Sequence, residues 1–479
     1  MKYLFYIAGR GTTLFLRIAQ KLVEQLGPEI DSVHFVIGDL RHYRWAKTQA
    51  LDPKIHLLYQ HEKINPFSRA AGPDIRRLAE LEERYGLPNL WRYISAHRLI
   101  DPLSHDAKLV YLQTYLDYYE SLAREIRPDI FISGTPDSLL FLTAMQVFRK
   151  NGAVPIFMGM GRLPDRVFIV DNELEQIPGL EELYAELLRR GLSSEESAEA
   201  AELLDSYRTH RVRPVYFDFG PRTRAIPSMS RLLRFARQRL LEQEKFFEAD
   251  LAQTIWRSIL LRMRTPWQRS DLRRSTRPTL PEEPFFYYPL HYEPESSIDV
   301  FSPFAPNQLQ AIEWTASSLP AGYSLVVKEH PNMPIGARPL GYYRRLSGIP
   351  RVRLLPVGAD SYEILKRCSG VATLAGTTGF EALCFGKPVL MFGHAFFEAF
   401  REGVFRPAGI DDIPRKLQQM ADFQGIDEKR LLAFLAAALQ RTYQAKFAQL
   451  SADVEEPENV GLITAALLRE LEMRIEVDV

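Results

Sequence analysis

The sequence predicts an α/β chain of two doubly wound domains, and three observations carry that expectation. Short runs of β-branched and aromatic residues alternate with longer segments whose apolar residues fall three and four apart. These runs gather in two blocks, one in each half of the chain. At 479 residues, the chain also exceeds what a single hydrophobic core organises. Strands that alternate with helices imply parallel sheets covered on both faces.

In the first block, strands are expected at Tyr3–Ala8, Val33–Ile37, Ile55–Tyr59, Ile130–Ser133, Ile156–Met158 and Val167–Val170, with mostly helix from Pro73 to Arg127. In the second, they are expected at Phe285–Pro289, Leu325–Lys328, Val352–Leu355, Val371–Leu374 and Val389–Phe392. Helices such as Pro306–Ser318 and Ser361–Arg367 lie between them. The intervening stretch offers a polar helix around Ser194–Tyr207, one short strand at Val215–Phe217, basic amphipathic material, and a breaker-rich segment from Thr265 to Pro284. A last helix is expected at Val460–Arg474. The domains so drawn are 1–175, a helical basic insertion 176–284, a second α/β domain 285–457 and a C-terminal helix 458–479.

Composition narrows the function. Lys+Arg and Asp+Glu both total 60, which with no recognition motif argues against nucleic acid. The charge is uneven, however: Arg222–Arg277 holds 14 basic residues against 5 acidic ones. Here Arg231, Arg234, Arg237, Arg239, Arg257, Arg262 and Arg264 interleave with Leu232, Leu233, Phe235, Trp256, Ile259 and Leu260. That mixture suits either an anionic membrane surface or a packed helix with a solvated cationic face. Cys368 and Cys384 make neither a disulfide framework nor a zinc spacing and favour a reducing compartment. The run Tyr3–Ala8 is too short for a signal peptide, and no stretch approaches about 20 apolar residues. The expectation is a cytoplasmic protein, at most peripheral to the membrane. The ten histidines are scattered, so neither a metal nor a cofactor is expected.

Three polar clusters follow predicted strands of the second block, where ligands of open parallel sheets gather. Lys328-Glu329-His330-Pro331 ends one strand and projects Lys328 and His330, groups that suit a phosphate leaving group; a solvated turn is the alternative. Thr373-Leu374-Ala375-Gly376-Thr377-Thr378-Gly379-Phe380-Glu381-Ala382-Leu383 turns a strand into a helix. Thr377 or Thr378 is expected to cap that helix, its N-terminus to attract an anion, and its glycines to admit a phosphate closely. Glu381 is placed to accept ribose hydroxyls, or to serve as a capping carboxylate. The third cluster, Tyr288–Ser297, brings His291, Glu295, Ser296 and Ser297 for sugar hydroxyls or a base, unless it is a polar hinge turn. In the first block, Gly9, Arg10 and Gly11 form a loop suited to acceptor or donor. Asp137 and Asp165 are the carboxylates placed for general-base work, although such residues also serve as caps and turns.

These signals together resemble the capsular and surface-polysaccharide synthesis proteins, which include the bacterial β-Kdo transferases. The resemblance rests on Tyr288–Ser297, Lys328–Pro331 with Gly336-Ala337-Arg338 after it, Gly376–Leu383, and Gly386–Gly393 followed by His394-Ala395-Phe396-Phe397. It is thinner at Gly159-Met160-Gly161-Arg162-Leu163-Pro164-Asp165. It implies a GT-B-like arrangement, two Rossmann-like domains facing across a cleft, with a helical insertion and a C-terminal helix. It further implies a metal-independent glycosyltransferase whose donor is a nucleotide-sugar, leaning to a CMP-linked acidic sugar such as Kdo. The acceptor would be a surface glycan; peripheral contact of the basic stretch with an anionic inner membrane, read above from its Arg and apolar residues, would suit a lipid-linked one. His330 and Pro331 would contact the donor phosphate beside Thr377–Gly379. One departure touches mechanism: where the β-Kdo transferases carry an acid in the Glu/Asp-Gly segment, this chain has Met160 before Gly161. A non-hydrolysing nucleotide-sugar 2-epimerase, a CDP-polyol phosphotransferase and a catalytically degenerate glycan-assembly scaffold are the competing readings.

Overall fold

The computed structural model describes residues 1–7, 11–64, 72–87, 89–97, 100–101, 103–135, 138–209, 251–293, 296–302, 307–447 and 452–475, with backbone alone at 251–259, 296–297, 452 and 475. Its strands are β1 (Lys2–Ile7), β2 (Ser32–Ile37), β3 (Ile55–Tyr59), β4 (Ile130–Ser133), β5 (Val154–Met160), β6 (Arg166–Val170), β7 (Phe285–Pro289), β8 (Ser324–Lys328), β9 (Val352–Leu355), β10 (Gly370–Thr373), β11 (Val389–Met391), β12 (Val404–Phe405) and β13 (Tyr443–Gln444). Two compact units result: residues 1–178 with 440–475, and residues 179–209 with 251–439. Both are Rossmann-like α/β units, so the expected fold class holds. The strand expected at Val215–Phe217 lies outside the described residues.

The first unit carries a seven-stranded sheet in the order β13-β6-β5-β4-β1-β2-β3. Tyr3–Ile7 of β1 are all buried, as a strand covered on both faces requires. The helix Thr12–Leu26 repeats apolar residues every three to four positions, and Leu14, Phe15, Ile18, Ala19, Leu22 and Val23 enter the core. Ile463, Leu467 and Leu471 of the final helix, Pro457–Ile475, join the same core.

Two expectations need correction here. β6 was expected in a parallel sheet, yet it runs antiparallel to β5, because only Gly161–Asp165 separates the two strands and a parallel crossover needs a dozen residues or more. Gly161 donates its N–H to the Arg166 carbonyl at 2.6 Å, and a Cβ there would come within 2.3 Å of that oxygen. The second correction concerns residues 440–457, assigned above to the second domain. They return to the first unit, where β13 pairs with β6. The Asn459 side chain ties this return, accepting from Lys446 N at 2.8 Å and donating to the carbonyls of Lys446 and Val454 at 2.9 Å each.

The second unit holds a six-stranded sheet, β12-β11-β10-β7-β8-β9, parallel throughout. The chain steps outward from β7 to β9, then resumes at β10 on the other side of β7, which places the topological switch between β7 and β10. The register sorts the faces: Phe286, Tyr288, Leu325, Val327, Ala372 and Leu390 build one core layer, while Tyr287, Val326, Lys328, Val371 and Thr373 point the other way. Helices Leu180–Arg190 and Ser194–Arg208 of the insertion pack on this unit: Tyr207 meets Phe380 edge-on at 5.3 Å, and Arg208 Nε donates to the Cys384 carbonyl at 2.9 Å.

Candidate functional site

The switch point of the second sheet is bridged by a histidine. His291, two residues beyond β7, sets Nε2 3.0 Å from Oγ1 of Thr373, the last residue of β10. The same hydroxyl accepts the Gly376 N–H at 3.2 Å. A Cβ on Gly376 would stand 2.8 Å from His291 Cε1, so only glycine lets this turn close on the ring. Gln308 fixes the loop from the other side, accepting from His291 N at 2.6 Å and donating to its carbonyl at 3.3 Å. Burial, with His330 and Arg338 nearby, lowers the His291 pKa to about 3 and keeps the ring neutral.

The helix Thr377–Cys384 starts at this turn with no side-chain cap, so the positive end of its dipole faces the switch point. Four residues in, Glu381 is buried with no charge partner in contact among the described residues; desolvation raises its pKa to about 7, opposed by Lys328. Lys328 ends β8, is also buried, and donates from Nζ to Ser361 Oγ at 3.0 Å. Desolvation lowers its pKa, against the pull of Asp360, Glu329 and Glu381.

Behind Lys328 lies a charged anchor. Arg338, 1% exposed, grips Glu329 through Nε at 3.0 Å and Nη2 at 2.8 Å, and Nη2 also donates to the His291 carbonyl at 2.8 Å. Tyr343 adds a 2.9 Å hydrogen bond to Glu329, whose other oxygen accepts the His330 N–H at 2.7 Å. Arg338 Nη1 also stands 3.1 Å from a Glu293 carboxylate oxygen, so one buried guanidinium between two carboxylates holds the turn after β7 and the turn after β8. His330 Nδ1 accepts the Asn332 N–H at 3.2 Å, which leaves the ring proton on Nε2. Its pKa is lowered to about 4, chiefly by burial, so His330 offers a neutral donor rather than a cation.

The structure thus brings together Lys328, His330, His291, Gly376, Thr377, Thr378 and Glu381. Several expected details change. Neither Thr377 nor Thr378 caps the helix; Gly376 is the N-cap, and both threonines lie in the first turn. Gly379 serves packing rather than phosphate approach, because a Cβ there would meet Phe397 Cζ at 2.7 Å. Glu295 lies outside the described residues, and Ser296 and Ser297, described by backbone alone, open the short helix Ser296–Asp299. In the first unit, Gly9, Arg10 and Asp137 also lie outside the described residues, while Gly11 directly precedes the helix Thr12–Leu26. Asp165 is exposed at φ 48° in the β5–β6 turn, its carbonyl accepting from Ala445 N at 3.0 Å. Met160 ends β5, packed against the core. Gln308, Ser361, the role of Thr373 and the Glu329–Arg338 pair escaped the sequence reading; Thr373, Glu329 and Arg338 stood inside quoted motifs, but nothing local marks their partners.

Fold and site define the chain as a two-unit Rossmann-like α/β protein with a polar, partly charged cluster at the switch point of its second sheet. Residues 232–422 match the family described as capsule polysaccharide biosynthesis protein, which bears out the resemblance over the segment that contains this cluster. Among solved structures, the chain is similar to a KpsC β-Kdo 2,7 transferase of Thermosulfurimonas dismutans, at 15% identity over 74% of this chain and 89% of that one, TM-score 0.37. It is similar to the β-Kdo 2,4 transferase of the same KpsC at 15% identity over 65% and 79%, TM-score 0.34. It is also similar to the UDP-GlcNAc 2-epimerase of Methanocaldococcus jannaschii at 12% identity over 89% and 94%, TM-score 0.25. No curated protein sequence matches.

Proposed function

We propose that the protein is a metal-independent GT-B glycosyltransferase of surface-polysaccharide synthesis, with its nucleotide-sugar bound at the switch point of the second sheet. The observation that carries this reading is the His291 bridge between β7 and β10, beside an uncapped helix start and next to Lys328 and His330 on the adjoining strand end. As the bond from sugar carbon to phosphate oxygen breaks, negative charge grows on the leaving phosphate. Lys328 Nζ, the His330 Nε2–H and the first backbone N–H groups of the helix stabilise that charge without a metal. Glu381 accepts ribose hydroxyls, and Ser296 and Ser297, at the start of the short helix after β7, read the base or sugar. The family match supports a capsular product, and the donor in this reading is a CMP-linked acidic sugar such as Kdo. An acceptor hydroxyl attacks the sugar carbon and loses its proton to a carboxylate of the first unit, for which Asp165 and Asp137 are the candidates. The acceptor is a surface glycan, carried on a lipid, and the enzyme works on the cytoplasmic side.

Thermal shift with CMP, CDP, UDP and GDP tests the donor site. One nucleotide, at about 100 times its Kd, should stabilise the fold by about 2.7 kcal/mol. His330→Ala should remove most of that shift; a shift left intact would take His330 out of the site. Interconversion of UDP-sugars without acceptor would favour an epimerase, and Asp165→Asn should abolish transfer while leaving the nucleotide shift unchanged.

A further inference from the structure

We propose that the outward face of the helix Leu251–Ser275 docks on an anionic phospholipid bilayer. Among the described residues, the contacts that anchor the helix lie on one side. Gln268 and Leu272 are buried; Gln268 Nε2 donates to the carbonyls of Arg338 and Pro339 at 2.7 and 2.5 Å. Gly336 lies so close that a Cβ would come within 2.5 Å of the Leu261 carbonyl oxygen. The opposite side carries Leu260, Met263 and Trp267, spaced three and four apart and exposed by 42%, 67% and 75%. Three of the nine exposed large hydrophobic residues among those described therefore fall within eight positions of one helix. Scattered exposure is ordinary, but an aligned stripe ending in tryptophan is not.

The charges around the stripe identify what covers it. Between 260 and 275 stand Arg262, Arg264, Arg269, Arg273 and Arg274 against Asp271 alone, and no carboxylate among the described residues pairs with any of the five. Thr265, Pro266, Arg269, Ser270, Arg273 and Arg274 line a hollow of about 420 Å³. Thr265 Oγ1 is committed to the Leu261 carbonyl at 2.6 Å, but guanidinium groups with the Ser270 hydroxyl beside them are phosphate chemistry. A phosphate-binding face next to an apolar stripe matches a lipid headgroup joined to its acyl chains: Trp267, Met263 and Leu260 enter the interface while the arginines stay at headgroup level. A nucleic acid would leave the apolar stripe unused. Because the buried side of the same helix holds the carbonyl of Arg338, the docked helix is continuous with the anchor of the donor site.

Full-length protein is sedimented with vesicles of phosphatidylcholine alone or with one third phosphatidylglycerol, an assay independent of the nucleotide shift. Binding to the anionic vesicles should be at least about ten-fold stronger than to the neutral ones. Trp267→Ala with Met263→Ser should weaken it about ten-fold, and Arg269→Glu with Arg273→Glu should remove the preference for anionic lipid. Equal binding to both vesicle types, or no binding, overturns the proposal whatever the variants do. So does concentration-dependent self-association that Trp267→Ala abolishes while vesicles remain unbound, since the stripe would then be an interface between copies of the chain.

Discussion

The two sheets fill the space near their carboxyl edges with opposite chemistry. In the first unit, the buried network beyond β1 and β3 is neutral and bonded internally: Tyr119 OH donates to Tyr6 OH at 2.9 Å, Tyr6 OH to Gln60 Oε1 at 3.0 Å, and Gln60 Nε2 to Tyr115 OH at 3.3 Å. In the second unit they are ionisable and buried: Lys328, Glu329, Arg338, Glu381 and His291. A neutral network satisfies its hydrogen bonds at little desolvation cost, whereas each buried charge costs several kcal/mol that its partner only partly returns. The difference shows that the second edge is not arranged for stability alone. The proposed phosphate recognition would give those charges a use that packing does not.

The largest effect should come from breaking the anchor. Arg338→Met leaves Glu329 buried and unpaired, and should lower unfolding free energy by about 3–5 kcal/mol in urea titration. Adding Glu329→Gln should recover much of that loss. A cost below about 1 kcal/mol for the single variant would place the pair in the class of solvent-screened surface pairs and dissolve the contrast between the edges.

Acid should act next. His34, His61, His97 and His330 are lowered to about 4 and His291 to about 3, in each case chiefly by burial. The unfolded chain holds imidazoles near 6.5, so below that value it binds more protons than the folded one, and stability falls as pH drops from about 6.5 towards 4. His291→Asn should flatten part of this fall in thermal melts. A melting temperature level from pH 7 to 4.5 would contradict neutral, buried rings.

Glu381 carries the opposite sign. Its carboxyl is raised to about 7 by desolvation, so between about 4.5 and 7 the folded chain holds a proton that the unfolded one has lost. Stability therefore falls as pH rises through that window. Glu381→Gln should stabilise the protein at pH 8 and change it little at pH 5, while weakening nucleotide binding. Equal stabilisation at both pH values would mean that the carboxyl is not protonated in the fold.

Much of this contrast was legible in the sequence, and its limits are physical. The β1, β7 and β8 runs were readable because buried parallel strands are apolar throughout. β12 and β13 were not, since two residues show no alternation. The antiparallel β6 was readable from its five-residue link, Gly161–Asp165, and the strand-type pattern alone concealed it. The polar turns after β7, β8 and β10 gave the place of the site. Which groups meet there depends on contacts between residues far apart in the chain, such as His291 with Thr373, and on burial of a whole pair such as Glu329 with Arg338; neither leaves a local mark.

The smallest effect tests the first edge. Tyr119→Phe removes one donor from a neutral chain and leaves the Tyr6 hydroxyl with Gln60 as a remaining partner. The expected loss is about 1 kcal/mol, with no change in the nucleotide shift, because the network belongs to the first unit and carries no charge towards the donor. A loss of about 3 kcal/mol or more would show that the tyrosine–glutamine chain is as demanding as the ion pair of the second unit. Chemical neutrality would then not be what separates a folding edge from a binding one.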